Sequence, residues 1–149
     1  MDKIEQEYLS EIYSLVFQEM QEFRKNNIRL FFGLTGLIIF LLGWILTKEN
    51  PIETKQKVII SVGIIVISFV YLYISKVIMK YFLQAASTIQ KIDKIYGFYQ
   101  KGKYIPNDTL LPKEWFSFGS KHWKEPMFIA SNIGAIVLSL FSISLIWLY

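Results

Sequence analysis

The chain has 149 residues, of which 53% are hydrophobic and 17% aromatic, and it carries a formal net charge of +4. The absence of cysteine excludes a disulfide scaffold and cysteine-ligated zinc or iron–sulfur sites, and the aromatic content argues against intrinsic disorder. The length fits a single domain. Its apolar residues form long runs that are atypical of a water-soluble domain. The sequence therefore predicts the cellular location and the architecture of the protein better than its activity.

The first 29 residues contain neither proline nor glycine and predict a cytosolic helix that continues into the first apolar run. Apolar positions in this segment recur at alternating steps of four and three, which is typical of a coiled-coil seam: Leu9, Tyr13, Val16, Met20 and Phe23. The alternative is an amphipathic helix that lies flat on the membrane. Six carboxylates in the segment argue against that alternative on an anionic leaflet, and they also exclude a signal peptide.

Three runs without charged residues predict transmembrane helices at residues 30–47, 58–75 and 126–148. A bilayer core about 30 Å thick requires about 20 helical residues, with a range of about 17–25, and the first two runs have 18 each. The alternative is a helix hairpin buried in the core of a soluble protein. Three such runs in a chain of this length leave too little polar sequence to cover them in water.

The second helix is predicted to begin at Pro51, after Asn50 as its N-cap, and to end before Gly97 as a C-cap. Its segment 76–96 continues beyond the membrane with a second seam of the same periodicity: Ile78, Phe82, Ala85, Ile89, Ile92 and Tyr96. The short connection predicts antiparallel pairing of residues whose numbers sum to about 99, with Phe23 near Lys76 and Val16 near Phe82. The two seams then form a cytosolic coiled-coil stalk.

Residues 97–125 are predicted to return from the end of this stalk to the membrane as a cytosolic loop. Aromatic residues alternate with lysines just before the third run, which is typical of an interfacial anchor: Trp115, Phe116, Phe118 and Trp123. The fold class predicted by these elements is an all-α integral membrane protein with three transmembrane helices, the first two extended into the stalk.

Small and polar residues inside the runs are candidates for helix packing or for lining a pore. Asn132 is selected as the most polar residue in any of the runs, and the others recur at intervals of seven or four residues, which keeps them on one helix face: Gly36, Gly43, Ser61, Ser68, Ser75, Ser131, Ala135 and Ser139. These faces are interpreted as packing within one chain or between chains, or as lining an oligomeric pore. The residue types alone do not decide between these alternatives, because serine and glycine serve all of them.

The sequence contains few of the residues from which catalytic sites are usually built, with one histidine and no cysteine. A metal site needs three or four ligands, and His122 is the single histidine. No catalytic, metal or cofactor site is predicted, and a lipid-modifying enzyme that uses His122, Glu114 and Asp108 is a minor alternative. The positive charge is explained by membrane topology, so nucleic acid is not an expected partner.

Lysine and arginine predict the orientation in a plasma (inner) membrane. Thirteen of the sixteen basic residues fall in the N-terminal segment and in residues 76–125, which predicts that these segments and the N-terminus are cytoplasmic and that the C-terminus is outside. The expected partners are the lipid bilayer and either further copies of the chain or another membrane protein.

A cytosolic helix, a two-span hairpin and a long returning helix occupy residues 4–96, and this organisation resembles small bacterial membrane effectors of the SLATT type. The resemblance implies oligomeric membrane disruption during phage defence, triggered by a cytosolic partner. The first functional hypothesis is therefore a non-enzymatic, self-assembling effector or pore component. The second is an accessory or scaffold subunit of a larger membrane complex that docks through the stalk, and small-molecule permeation is a further alternative.

Overall fold

The computed structural model describes residues 3–47, 52–111 and 125–148. These residues form three α-helices: α1 (Lys3–Leu46), α2 (Thr54–Tyr96) and α3 (Pro126–Leu148). No β-strand occurs within these described ranges, where the sheet-like pairing is an isolated bridge between Ile105 and Asp108. The prediction of an all-α chain with three long helices is confirmed, and each helix is long and apolar enough to cross a membrane.

The start of α2 differs from the predicted one by three residues. The helix begins at Thr54, and the carbonyl of Glu53 accepts the backbone N–H of Gln56 at 2.9 Å and of Lys57 at 3.1 Å. Ile52 is only 6% exposed and belongs to the main apolar cluster. Ile52 and Glu53 are not helical, so the predicted start at Pro51 is wrong; Asn50 and Pro51 themselves lie outside the described residues.

The end of α2 agrees with its predicted cap. Gly97 has φ = 72°, its N–H donates to the carbonyl of Lys94 at 3.1 Å, and the N–H of Phe98 donates to the carbonyl of Asp93 at 3.0 Å. This pair of bonds is the Schellman motif, in which a left-handed residue closes the last helical turn. Glycine adopts that conformation without the steric cost that a Cβ imposes, so the predicted C-cap at Gly97 is confirmed.

The segment after Gly97 folds back on the helix end through several hydrogen bonds. The carbonyl of Tyr96 accepts from the Lys103 ammonium at 2.6 Å and from the Tyr104 hydroxyl at 2.8 Å. The rings of Tyr96 and Phe98 stack with centroids 5.3 Å apart, and the Phe98 carbonyl accepts from the N–H groups of Leu110 and Leu111. The predicted interfacial anchor of Trp115, Phe116, Phe118 and Trp123 lies outside the described residues.

The chain divides into two compact units. Among the described residues, the first unit comprises 3–24 and 79–111, and the second comprises 25–47, 52–78 and 125–148. The apolar cluster of the second unit draws on all three helices: Leu34, Ile38, Ile45, Ile52, Ile64, Tyr71, Ala135 and Ile146.

The antiparallel register of α1 and α2 is shifted from the predicted one in both units. In the first unit the ring of Phe23 stacks on Tyr81, not near Lys76, with centroids 6.2 Å apart. In the second unit Asn27 contacts Ser75, a pair whose numbers sum to 102. The predicted sum of 99 is wrong because the connection to α2 extends through Glu53 before the helix starts.

The predicted seam residues of the first unit are the less exposed positions of their helices. Met20 is buried together with Phe82, Ala85, Ile89 and Ile92. The remaining seam positions are half-buried: Leu9, Tyr13, Val16, Phe23, Ile78 (in the second unit) and Tyr96. The guanidinium of Arg24 lies 5.3 Å from the centre of the Phe82 ring, which is within the range of a cation–π contact.

Candidate functional site

A layer of three hydrogen-bonded polar side chains joins the helices of the second unit, and it is called the Asn27 layer: Asn27, Ser75 and Ser131. The amide nitrogen of Asn27 in α1 donates to the hydroxyl of Ser131 in α3 at 2.9 Å. The hydroxyl of Ser75 in α2 donates to the amide oxygen of Asn27 at 2.8 Å. Asn27 and Ser75 are fully buried, and Ser131 is 8% exposed. One side chain therefore links all three helices away from solvent.

A second polar contact lies two helical turns further along α3. The hydroxyl oxygens of Ser68 and Ser139 are 2.6 Å apart, and each also lies 2.7 Å from a carbonyl of its own helix, those of Ile64 and Ala135 respectively. Two hydroxyl protons serve three hydrogen-bonding contacts, so one serine donates across the helix pair while the other donates to its own helix. Every polar oxygen in this contact is satisfied without water.

The predicted serine faces of α2 and α3 meet inside one chain at Ser68 and Ser139, whereas Ser75 and Ser131 both bond to Asn27 of α1. Ser61, Ser68 and Ser75 are buried on α2, and Ser131, Ala135 and Ser139 are buried on α3. Sequence analysis left open whether these faces pack within the chain, pack between chains or line a pore; in the structure they pack within the chain.

The predicted glycines of α1 have a different environment. Gly36 and Gly43 are exposed, and a Cβ placed on either would meet nothing within 4 Å. Gly134 in α3 contrasts with them, since a Cβ there would lie 3.1 Å from the ring of Phe31. Gly134 thus permits close packing of α1 on α3, whereas Gly36 and Gly43 form an outward surface without a partner among the described residues.

Three buried polar atoms of the second unit have no hydrogen-bond partner within the described part of the chain. They are the hydroxyls of Ser61 and Tyr71 and the amide oxygen of Asn132. Asn132, which sequence analysis selected as the most polar residue of the runs, is half-buried and does not join the layer formed by its neighbour Ser131. An unpaired buried polar atom is unfavourable, so each marks a position where a further acceptor or donor would stabilise the fold.

An open groove runs between α1 and α2 in the second unit and has a volume of about 630 Å³. Asn26 and Arg29 lie at one end, and the rest of the wall is apolar or aromatic apart from the hydroxyl of Tyr71. Gly33 lies in this wall and leaves its centre open, because nothing lies within 4 Å of its Cβ position. The volume falls within the range of about 300–1,000 Å³ that is usual for ligand sites.

The first unit contains a buried carboxyl group that sequence analysis did not select. Asp93 is 4% exposed, and burial raises its pKa, whereas a hydrogen bond from Tyr99 opposes that rise. Burial and the charge of Asp93 raise the pKa of Tyr13. Burial, the charges of Asp93 and Tyr13 and the hydrogen bond with Asp93 raise the pKa of Tyr99 to about 12. The Oδ1 atom of Asp93 has no hydrogen-bond partner among the residues that the structure describes.

No group of three or more metal-ligating side chains occurs in the described ranges. His122 and Glu114, which the enzymatic alternative requires, lie outside the described residues, whereas Asp108 is exposed, and its carboxylate accepts the N–H of Thr109 at 2.8 Å.

Asn27 is the main functional candidate that sequence analysis missed. The signal was present, because Asn27 follows Phe23 by four residues and so continues the seam of α1. Asn27 lies before the first uncharged run and therefore outside the segments whose polar residues were predicted to pack. No protein-family model, curated protein or solved structure matches the chain, and its function is therefore inferred from this geometry.

Proposed function

We propose that the protein is a multi-pass integral membrane protein of non-enzymatic type that assembles with further copies of itself. The observation that carries the membrane assignment is an inverted distribution of polarity in the second unit. Asn27, Ser75 and Ser131 are buried, whereas large apolar side chains face outward, with Phe40 70% and Phe69 68% exposed. Lipid favours this distribution and water opposes it.

The helices are proposed to cross the plasma (inner) membrane with the N-terminus in the cytoplasm. The uncharged residues 30–47, 58–75 and 126–148 would occupy the hydrocarbon core, and the lysine-rich residues 76–125 would be cytoplasmic. The Asn27 layer would then lie near the inner boundary, where Asn27 itself precedes the first span by three residues.

Self-assembly is supported by the way in which the small residues are distributed. Serines of α2 and α3 make hydrogen bonds within the chain, which argues against a serine-lined pore between protomers. Gly36 and Gly43 remain outward with open space above them. Small residues on a lipid-facing helix surface allow a second helix to approach closely, and we therefore place the contact between copies on this face of α1.

An effector role in bacterial defence, as the SLATT-type organisation suggests, is the specific form of this proposal. Assembly of the spans would perturb the membrane, and the first unit would receive the triggering partner. Overexpression is then expected to lower the membrane potential of the cell. A non-assembling variant should leave the potential at its normal value.

The second candidate is an accessory or scaffold subunit of a larger membrane complex. It is favoured by a stripe of exposed apolar residues on α1 outside the predicted spans, with Tyr8 64%, Ile12 42% and Leu15 56% exposed. Their spacing of four and three residues places them on one helix face, which suits insertion into a groove of a partner.

Crosslinking in native membranes followed by mass measurement tests both candidates. Self-assembly predicts products at multiples of the 17.5 kDa chain, and their loss when Gly36 and Gly43 are both replaced by leucine. Gly63→Leu in α2 is the matched control, because nothing lies within 4 Å of its Cβ position either, and it should retain the oligomer.

Each outcome separates the two candidates. A product whose mass is not a multiple of the chain, and which disappears with Tyr8→Glu and Ile12→Glu, would support the accessory subunit and overturn self-assembly. A chain that alkaline extraction releases from the membrane would overturn the membrane assignment itself.

A further inference from the structure

We propose that the groove between α1 and α2 is a binding site for an anionic phospholipid of the inner leaflet. This inference rests on the proposed membrane location and goes beyond it by naming the chemical class of a ligand. The groove is long and apolar along most of its wall, and its polar residues, Asn26 and Arg29, lie together at one end. An anionic phospholipid has the same division, with a charged phosphate at one end of an apolar chain.

Charge complementarity selects this occupant over a second copy of the chain. Arg29 is exposed and directly precedes the first predicted span, so its guanidinium lies at the height expected for inner-leaflet phosphates. Guanidinium groups bind phosphate oxygens through paired N–H donors. The Asn26 side chain adds an amide donor one helical turn earlier.

The apolar part of the groove has space for an acyl chain because Gly33 has no side chain. Leu37 and Ile67 lie at the end away from Arg29, and Val70 lies between the two ends. Ile74 precedes Ser75, which bonds to Asn27, and so lies at the Arg29 end. This wall offers dispersion contacts and no competing hydrogen-bond donor apart from Tyr71.

Tyr71 is the independent observation that indicates a ligand. This residue is 4% exposed and forms part of the groove wall, and its hydroxyl has no hydrogen-bond partner among the described residues. A phospholipid carries ester oxygens between its phosphate and its acyl chains, and these oxygens are acceptors. The hydroxyl is buried, so the Tyr71 side chain would have to turn towards the groove to donate to such an ester oxygen.

The test uses the full chain reconstituted in vesicles of equal phosphatidylglycerol and phosphatidylcholine. Bound lipids that survive transfer to mild detergent are counted by native mass spectrometry. The wild-type chain should retain phosphatidylglycerol in preference, and Arg29→Gln should reduce that preference about fivefold, as one basic residue near an anionic surface contributes. Lys57→Gln, which removes one charge at the opposite end of the spans, should leave it unchanged.

Two further variants examine the groove itself. Gly33→Leu should reduce the retention of both lipids while leaving the fold intact, since nothing lies within 4 Å of its Cβ position. Tyr71→Phe should lower phosphatidylglycerol retention without lowering the thermal stability of the lipid-free protein, because the hydroxyl makes no bond there. A purely structural role of Tyr71 would reverse this pattern.

Several outcomes would overturn the inference. Equal retention of the two lipids, or equal losses in Arg29→Gln and Lys57→Gln, would show only general attraction to an anionic surface. A lipid-free dimer that Gly33→Leu abolishes would show that a second copy occupies the groove. Failure of the chain to insert into the vesicles at all would instead contradict the proposed membrane location, so the two failures are distinguishable.

Discussion

The hydrogen bond between Asn27 and Ser75 can be measured by a double-mutant cycle. Asn27→Ala removes the amide that bridges the helices, Ser75→Ala removes the hydroxyl that donates to it at 2.8 Å, and the double variant removes both. The interaction energy is the difference between the double variant and the sum of the single ones. The cycle cancels the cavity left by Asn27→Ala, which a single substitution would include.

The expected magnitude follows from the burial of both partners. Interhelical hydrogen bonds in membrane proteins average about 0.6 kcal/mol and reach about 1.7 kcal/mol in such cycles. Asn27 and Ser75 are both fully buried, so the coupling should lie in the upper half of that range. A matched control pairs Asn27 with Ser139, which lies eight residues, or about 12 Å, beyond Ser131 on α3, and this pair should be additive.

The assay is reversible unfolding of the purified protein in mixed micelles with increasing denaturing detergent, followed by far-ultraviolet circular dichroism. Coupling energies are compared at a fixed detergent composition. A coupling below about 0.3 kcal/mol for Asn27 and Ser75, within the usual error of additivity, would refute the role given to this layer. An equal coupling for Asn27 and Ser139 would refute it as well, because that pair makes no contact.

Two further predictions concern packing and charge burial. Gly63→Ala should stabilise the protein by up to about 1 kcal/mol through helix propensity. Gly134→Ala should stabilise it less, because the new Cβ would lie 3.1 Å from the ring of Phe31, whereas nothing lies within 4 Å of the Cβ position of Gly63. Equal effects of the two substitutions in thermal unfolding would contradict this packing. The raised pKa of Asp93 means that its contribution to the stability of the first unit is complete below the unfolded-state pKa and is lost as pH rises through the folded-state pKa. Asp93→Asn, which can still accept from Tyr99, should therefore raise the melting temperature near pH 7 and have little effect near pH 3, as followed by circular dichroism, and a lower melting temperature near pH 7 would contradict it.

The helices and the cap at Gly97 were predictable because their causes are local. Long runs without proline determine where α1 and α2 continue. Gly97, with φ = 72°, closes α2: its N–H bonds to the carbonyl three residues earlier, and the N–H of Phe98 bonds to the carbonyl five residues before Phe98. The register of the two helices was not predictable in the same way. It depends on contacts between residues far apart in sequence, such as the hydrogen bond between Asn27 and Ser75, which are 48 residues apart.

The candidate site was predictable in part for a related reason. Serine spacing identified the buried faces of α2 and α3, since periodicity alone determines a helix face. It did not identify the partner on α1, because the contact between Asn27 and Ser131 spans 104 residues of sequence. Asp93 was missed because its hydrogen-bond partner, Tyr99, belongs to a segment that folds back only after the helix has ended.

The Asn27 layer has a consequence for the order in which the chain is made. Ser131, whose hydroxyl accepts from the Asn27 amide, is synthesised 104 residues after Asn27. At translation rates of about 5–20 residues per second this delay lasts roughly 5 to 20 seconds. During that interval α1 and α2 can pair through Ser75, but one amide donor of Asn27 has no protein acceptor until α3 arrives. A chain that ends before Ser131 would therefore lack the acceptor that joins α1 to α3, so the three-helix layer is completed only after α3 has been made.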